Sequence, residues 1–142
     1  MTEAAIGYGT EFHMATALGV LTELGEITAI SLPNPQVSDV EATHFKSLNR
    51  RREYIAGLIE DGEGTFEMNY VPGSATDVLV RAALEDGNAR EYKVVLPDGA
   101  GTWEVAGECI VKGYERGVPI DDRMTGTLTV RFTGASTEGA GA

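Results

Sequence analysis

Few side chains in this sequence have a type and spacing that could support catalysis or metal binding. His13 and His44 lie far apart, and neither has a second ligand at the short spacing that zinc sites use. The single cysteine, Cys109, lies within an alternating apolar segment, which favours a buried thiol over a reactive one. Motifs for phosphate binding, dinucleotide binding or a nucleophilic serine are not found. We therefore expect no enzymatic activity, no cofactor and no bound metal ion.

Neighbouring carboxylates are the second group that could do chemistry. The pairs are Asp121–Asp122, Glu60–Asp61 and Asp98 with Glu104. A glycosidase needs two carboxylates that face one cleft a few ångströms apart. These pairs fall in turn segments, where Asp is favoured because its side chain hydrogen-bonds the local backbone. We interpret them as turn residues.

The run Arg50–Arg51–Arg52 is the one concentration of cations in an acidic chain. The chain has 22 Asp and Glu against 11 Lys and Arg, a net charge of −11. This balance argues against tight binding to nucleic acid, which needs clustered Lys and Arg. The run has two interpretations that both stay open: a solvated turn that aids solubility, or a contact with carboxylates of another copy of the chain.

The elements that must position these residues are short. The chain has 142 residues, which fits one domain, and its 18 glycines favour many short elements over long helices. Alternation of apolar and polar residues predicts strands. They are Thr10–Thr16, Leu24–Ser31, Glu53–Ile59, Thr65–Val71, Arg90–Leu96, Thr102–Tyr114 and Met124–Thr133. No segment approaches the ~20 apolar residues of a membrane span, so we expect no membrane partner.

Three further signals complete the predicted architecture. Ser74 can cap a helix that ends at Gly87–Asn88. The residues Glu60–Gly64 predict a hairpin turn, and Pro33–Arg52 shows no period, which predicts a long loop. The expected fold is mainly β: two packed antiparallel sheets, sandwich-like or barrel-like, with one flanking α-helix. We expect residues 1–134 to form this domain and residues 135–142 to form a flexible tail.

The last predicted strand has two unlike faces. Its apolar side carries Met124, Leu128, Val130 and Phe132. Its polar side carries Thr125, Thr127, Thr129 and Thr133, with Arg131 among them. A core needs only the first face, and threonine keeps strand propensity where no core packing is available. The threonine face therefore needs a function other than packing within the domain.

The order of these segments resembles the tail tube (major tail) proteins of long non-contractile-tailed bacteriophages, related prophages and gene transfer agents. The segments that carry the resemblance span residues 4 to 134. They are AAIGYGTEF, DVEATHFKS, RREYIAGLIEDGEGTFEMNY, the capped helix, REYKVVLPDG, TWEVAGECIVKGYE and PIDDRMTGTLTVRFTG. Each motif is common by itself, whereas their order and spacing together are more specific.

The resemblance implies a structural subunit of a virion tail tube, made in the cytoplasm of a host bacterium. Subunits would form rings of six that stack into a hollow tube through which DNA passes without sequence-specific binding. Other partners would be the tape measure, tail terminator and distal tail proteins. The main alternative is a ligand-binding β-sandwich, such as a carbohydrate-binding module, which would need exposed aromatic residues on a flat face. An enzyme is the third possibility.

The resemblance also suggests which residues meet partners. Contacts between subunits or rings would involve the run Arg50, Arg51 and Arg52 together with Asp39 and His44 of the long loop. The lumen would be lined by the polar faces of two strands, through Glu67, Asn69, Thr127 and Thr129. A wall that is polar but not basic would hold phosphates loosely, so that DNA slides.

Overall fold

The computed structural model describes residues 8–16, 19–98 and 101–140. These residues form nine strands and one α-helix. The strands are β1 (Glu11–Ala15), β2 (Leu21–Leu24), β3 (Ile27–Ile30), β4 (Gln36–Glu41), β5 (Tyr54–Glu60), β6 (Glu63–Asn69), β7 (Arg90–Asp98), β8 (Gly101–Gly117) and β9 (Thr125–Ala140). The helix α1 spans Ala75–Asp86. The predicted fold class, mainly β with two antiparallel sheets and one helix, is confirmed.

The larger sheet has seven strands in the order β2-β1-β7-β8-β9-β6-β3, and the smaller sheet pairs β4 with β5. The two layers that pack together are halves of the seven-stranded sheet. Phe12 of β1 stacks on Phe66 of β6 with ring centroids 4.2 Å apart, although four strand positions separate β1 from β6 in the sheet order. The sheet therefore curls until its two halves face each other, without a hydrogen-bonded closure among the described residues.

Bends in the two longest strands make this curl possible. The pairing of β8 with β9 shifts register between Ala106 and Glu108 and again between Val111 and Gly113. Gly107 and Gly113 lie at these two shifts. A Cβ at Gly107 would lie 3.2 Å from the Tyr92 side chain, which is tighter than ordinary van der Waals contact, so the close packing there favours glycine.

The core fills the space between the two halves of the sheet. Its largest side chains are fully buried and come from both halves, and they are Tyr92, Phe12, Phe66, Met14, Met68 and Leu128. The alternation read in the sequence is confirmed for β6 and β9, since Phe66, Met68, Leu128 and Val130 are buried. Helix α1 packs on β8, and Gly25 donates its N–H to Thr76 Oγ1 at 2.9 Å.

The helix follows its sequence signals closely. Ser74 Oγ accepts a hydrogen bond from the Asp77 N–H at 3.2 Å, and Gly87 ends the helix with φ of 66°. The buried Asp77 carboxylate accepts hydrogen bonds from the Gly73 N–H and the Tyr114 hydroxyl, both at 3.1 Å. Since Tyr114 belongs to β8, this carboxylate joins the first turn of α1 to the sheet.

Four predictions about local structure differ from the observed fold. The segment Leu24–Ser31 is not one strand, because Gly25 and Glu26 turn the chain between β2 and β3, the two edge strands. The segment Pro33–Arg52 is not a continuous loop, since it contains β4. The residues Glu60–Gly64 do not form a hairpin turn, because the strands on either side of them do not pair with each other: β5 pairs with β4, and β6 pairs with β3 and β9.

The fourth difference concerns the end of the chain. The sequence predicts a flexible tail at residues 135–142, but β9 continues to Ala140 and pairs with the start of β8, where Trp103 lies opposite Ala140. Gly134, with φ of 72°, lets the strand bend before this second stretch of pairing. Residues 141 and 142 lie outside the described residues.

Candidate assembly interface

The β4–β5 pair forms a separate two-stranded ribbon with apolar side chains on both faces. Val37 lies opposite Ile59, and Val40 lies opposite Ile55. Val37 and Val40 are three residues apart on β4 and so lie on opposite faces, and the register shift after Val37 gives β5 one extra residue, so that Ile59 and Ile55 stay with their partners on opposite faces too. Leu58 is 87% exposed, and the other four side chains are between 46% and 68% exposed. The ribbon thus presents two uncovered apolar faces.

The ribbon leaves the domain at one end of the seven-stranded sheet. Its base is held by the Asn34 N–H, which donates to the Asp61 carbonyl oxygen at 3.0 Å, and by the Phe132 N–H, which donates to the Gly62 carbonyl oxygen at 3.0 Å. Glu63, the residue after Gly62, begins β6. A two-stranded ribbon is marginally stable in water by itself, so these apolar faces need a covering surface.

Residues 42–53 form the tip of the ribbon, and Glu53 ties its two ends together. The Ser47 hydroxyl donates to Glu53 Oε2 at 2.7 Å, and His44 Nε2 lies 3.3 Å from the same oxygen. The Glu53 N–H donates to Thr43 Oγ1 at 2.8 Å. Two apolar side chains stand out at the tip: Phe45 is fully exposed and Leu48 is 78% exposed.

The predicted interface residues all lie on this ribbon and its tip. Asp39 is exposed and lies opposite Ala56, while His44 belongs to the tip network. Arg52 pairs with Glu41 of the same ribbon at 3.6 Å. Arg50 and Arg51 are exposed and form no salt bridge with a described residue. Arg50 and Asn49 also have left-handed backbones, with φ of 57° and 56°.

The predicted lumen residues lie together on one polar face of the seven-stranded sheet. Glu67 of β6 lies opposite Thr127 of β9, Asn69 lies opposite Thr125, and Thr65 lies opposite Thr129. Their strand neighbours are the buried residues of the core, so these side chains point away from it. We call the outward side of β6, the first half of β9 and the second half of β8 the Thr–Glu face.

The Thr–Glu face also carries two cations, at the end where the ribbon leaves. Lys112 of β8 and Arg131 of β9 both point to the start of β6. Lys112 Nζ pairs with Glu63, Arg131 pairs with Glu60, and Arg131 Nη1 lies 4.0 Å from Glu63 Oε1. At the opposite end, Arg123 Nη1 donates to Asn69 Oδ1 at 2.6 Å.

The other polar groups of the described residues were candidates for a metal site or a reactive thiol in the sequence. Within the described ranges, no three His, Cys, Asp or Glu side chains group as a metal site. Burial raises the pKa of Cys109 to about 12, so its thiol stays protonated at neutral pH. No helix in the described part is long and apolar enough to cross a membrane.

A groove of about 640 Å³ lies along the edge strand β3. It is lined by Ile27–Ile30 of that strand, by Leu32 and Leu96, and by Tyr8–Thr10 beside β1. The outer edge of β3 makes no strand pairing among the described residues. An unpaired edge next to an apolar groove is a place where a strand of another chain can add.

Two features of the interface are not predicted by the sequence. The exposure of the apolar ribbon residues is one, because EYIAGLIE has the pattern of an ordinary strand and only its pairing shows that neither face reaches the core. The ion pairs of Glu60 and Glu63 with Lys112 and Arg131 are the other. They depend on the strand register, which places Glu63 directly opposite Arg131.

Comparison with known proteins agrees with this geometry. The sequence matches the family model described as lambda phage tail tube protein, TTP, over residues 7–139. The chain belongs to this family of tail tube proteins. The match confirms the resemblance seen in the sequence and supports a structural subunit of a tail tube. No curated protein matches the chain in sequence.

Several solved structures share the fold of this tail tube family member. A chain in the tail of an empty gene transfer agent particle with C6 symmetry has a TM-score of 0.74 at 18% identity, over 94% of this chain and 98% of that one. A chain of the SPP1 tail tube has a TM-score of 0.71 at 11% identity, over 97% and 80%. A chain of the anti-feeding prophage baseplate gives 0.71 at 12% identity, over 97% of both.

Proposed function

We propose that this chain forms rings of six that stack into a hollow tail tube, and that its β4–β5 ribbon makes the contacts that hold the tube together. The observation that carries the proposal is the ribbon itself, which has exposed apolar side chains on both faces that no described residue of the chain buries. Six-fold symmetry is taken from the related gene transfer agent tail.

Rings would form through the edges of the inner half-sheet. This half contains β3, β6, β9 and the second half of β8. Its edges are β3 and residues 110–117 of β8, and neither edge has a second strand partner among the described residues. Joining β3 of one copy to β8 of the next would continue the sheet around a channel. Closure of the ring would remove both exposed edges.

Stacking would use the ribbon, because its position suits a head-to-tail contact. The ribbon leaves the end of the sheet where β6 begins, whereas the loop between β8 and β9 lies at the opposite end, next to Asn69. A ribbon of six to seven residues reaches about 20 Å beyond the sheet. A protrusion at one end that binds the other end of the next copy generates an open-ended assembly.

The Thr–Glu face would line the channel. In this arrangement the Thr–Glu face of each sheet would be turned toward the channel, and the core would lie on the side of the sheet away from the channel. The wall would carry Glu67, Asn69, Thr127 and Thr129, the residues predicted from the alternation of the two strands. Carboxylates repel phosphates and neutral hydroxyl groups supply no positive charge to bind them tightly, so DNA would pass without being held.

The remaining parts of the proposal follow from this role. The chain would act without catalysis, in the tail of a virion assembled in bacterial cytoplasm, and would contact tape measure, terminator and distal tail proteins. A ligand-binding sandwich is less well supported, because the one tryptophan, Trp103, is only 37% exposed and its N–H donates to Glu138 at 3.3 Å.

Electron microscopy of concentrated purified protein tests the proposal. We expect rings or tubes from the unmodified chain, and neither from a variant in which residues 42–53 are replaced by a two-residue turn. The shortened variant should keep a folded domain, since the tip packs on no core residue. Failure of the unmodified chain to form rings or tubes at any concentration would contradict the proposal.

A further inference from the structure

We propose that Glu60 and Glu63 mask two cations on the Thr–Glu face, and that this masking is what lets a wall containing Lys and Arg pass DNA without retaining it. The inference rests on the proposed function, because it requires the Thr–Glu face to meet DNA. It assigns a role to four side chains that assembly alone does not explain.

The first step is the arrangement of charge on the face. Lys112 and Arg131 are its two strand cations, and both lie at the ribbon end. Their side chains are about half exposed, at 50% and 43%, so each could reach a phosphate in the channel. Glu63 contacts both cations, and Glu60 pairs with Arg131. The four groups together carry no net charge.

The second step is the contrast with the other carboxylates of the same face. Glu67 and Glu115 flank Thr127 in one cross-strand row, on either side of β9. Neither forms a salt bridge with a described residue. The face therefore leaves these carboxylates without an ion pair while its two strand cations, Lys112 and Arg131, are paired, and both conditions disfavour phosphate binding.

The third step is repetition around a ring. In a ring of six, the unmasked face would present twelve cations in one narrow band. Each cation that neutralises a phosphate adds about 0.9 to the slope of log affinity against log salt concentration. If a duplex engaged four of them, doubling the salt would weaken binding about twelvefold. Unmasking should therefore produce strongly salt-dependent retention of DNA.

The test compares tubes assembled in the presence of a short fluorescent DNA duplex and then collected by sedimentation. The Glu60→Gln/Glu63→Gln variant should retain duplex at low salt and release it as salt rises, whereas unmodified tubes retain little. Glutamine keeps the size and a hydrogen-bond acceptor, so the local packing is preserved. Adding Lys112→Gln and Arg131→Gln to this variant should return retention to the unmodified level.

The matched control is Glu67→Gln/Glu115→Gln, which changes the charge of the same face by the same amount without exposing a cation. Equal retention by the control tubes would overturn masking in favour of a general charge effect. Masking would also be overturned if the Glu60→Gln/Glu63→Gln tubes retained no more duplex at low salt than unmodified tubes do. If that variant forms no tubes, the single change Glu63→Gln is used, and loss of assembly by both would assign these carboxylates to assembly instead. Absence of tubes from the unmodified protein would defeat the proposed function and the masking role together.

Discussion

Replacement of Leu58 by serine should weaken tube assembly without weakening the folded subunit. Leu58 is 87% exposed on the ribbon, so its replacement removes almost no packing within the chain. In the assembled tube, by contrast, we expect the side chain to be covered by a neighbouring copy. The change therefore separates the stability of the subunit from the stability of the contact.

The expected magnitude follows from the area that becomes buried. Full burial of a leucine side chain contributes about 1.5–3 kcal/mol. Since nearly all of the Leu58 side chain is free in the subunit, most of this energy is available to the contact. Each tenfold change in affinity corresponds to about 1.4 kcal/mol. The protein concentration needed for tube formation should therefore rise about tenfold to a hundredfold.

The assay has two measurements on the same preparation. Sedimentation of tubes over a concentration series gives the assembly threshold, and thermal unfolding of dilute, unassembled protein gives the stability of the subunit. Substitution of an exposed residue should change stability by no more than about 0.5 kcal/mol. The control is Leu128→Ala in the core, where Leu128 is 0% exposed and truncation should cost about 2–5 kcal/mol.

Two results would refute the reasoning. If Leu58→Ser protein assembles at the unmodified threshold, the ribbon face that carries Leu58 is not covered in the tube. If the same change lowers the unfolding temperature as much as Leu128→Ala does, the ribbon packs within the subunit, in conflict with its exposure.

Four further predictions concern charge, the lumen, the helix and the tip. Replacing Arg50–Arg52 by alanine should block assembly and leave the subunit folded; normal tubes at moderate salt would contradict this. Glu67→Lys with Thr129→Lys should slow DNA ejection from particles, more at low salt than at high salt. Burial by itself would raise the pKa of Asp77, but the hydrogen bonds to its carboxylate and a nearby arginine outweigh burial and hold the pKa below the ordinary value of 3.8. The ionised carboxylate therefore stabilises the fold above pH 3.8, and this stabilisation is lost as the pH falls through the lowered pKa. Asp77→Asn should reduce this acid sensitivity in unfolding titrations. Hydrogen exchange at residues 42–53 should slow on assembly, whereas equal exchange would remove the tip from the contact.

Local signals in the sequence predict those elements whose structure depends on neighbours in the chain. Ser74 and Gly87 define α1 because capping and a left-handed stop act within a few residues. The alternation of Thr127, Leu128 and Thr129 similarly determines which side of β9 reaches the core. The grouping of the predicted lumen residues on one face follows from this alternation and from the pairing of β6 with β9.

Features that depend on distant pairing could not be predicted in the same way. Residues 36–41 show no clear period, and they form a strand because β5 supplies hydrogen bonds. Residues 135–140 are rich in small and polar side chains, yet most of them pair with the start of β8. The salt bridge between Lys112 and Glu63 spans β9 and exists only in the observed strand order.

The central claim is that uncovered surfaces of this subunit become the contacts and the channel of a tube. A helical reconstruction of tubes assembled from the purified protein tests it most directly. We expect the β4–β5 ribbon to be buried between copies and the Thr–Glu face to line the channel. A tube in which the ribbon stays exposed, or in which Glu67 and Thr129 lie on the outer surface, would contradict the account.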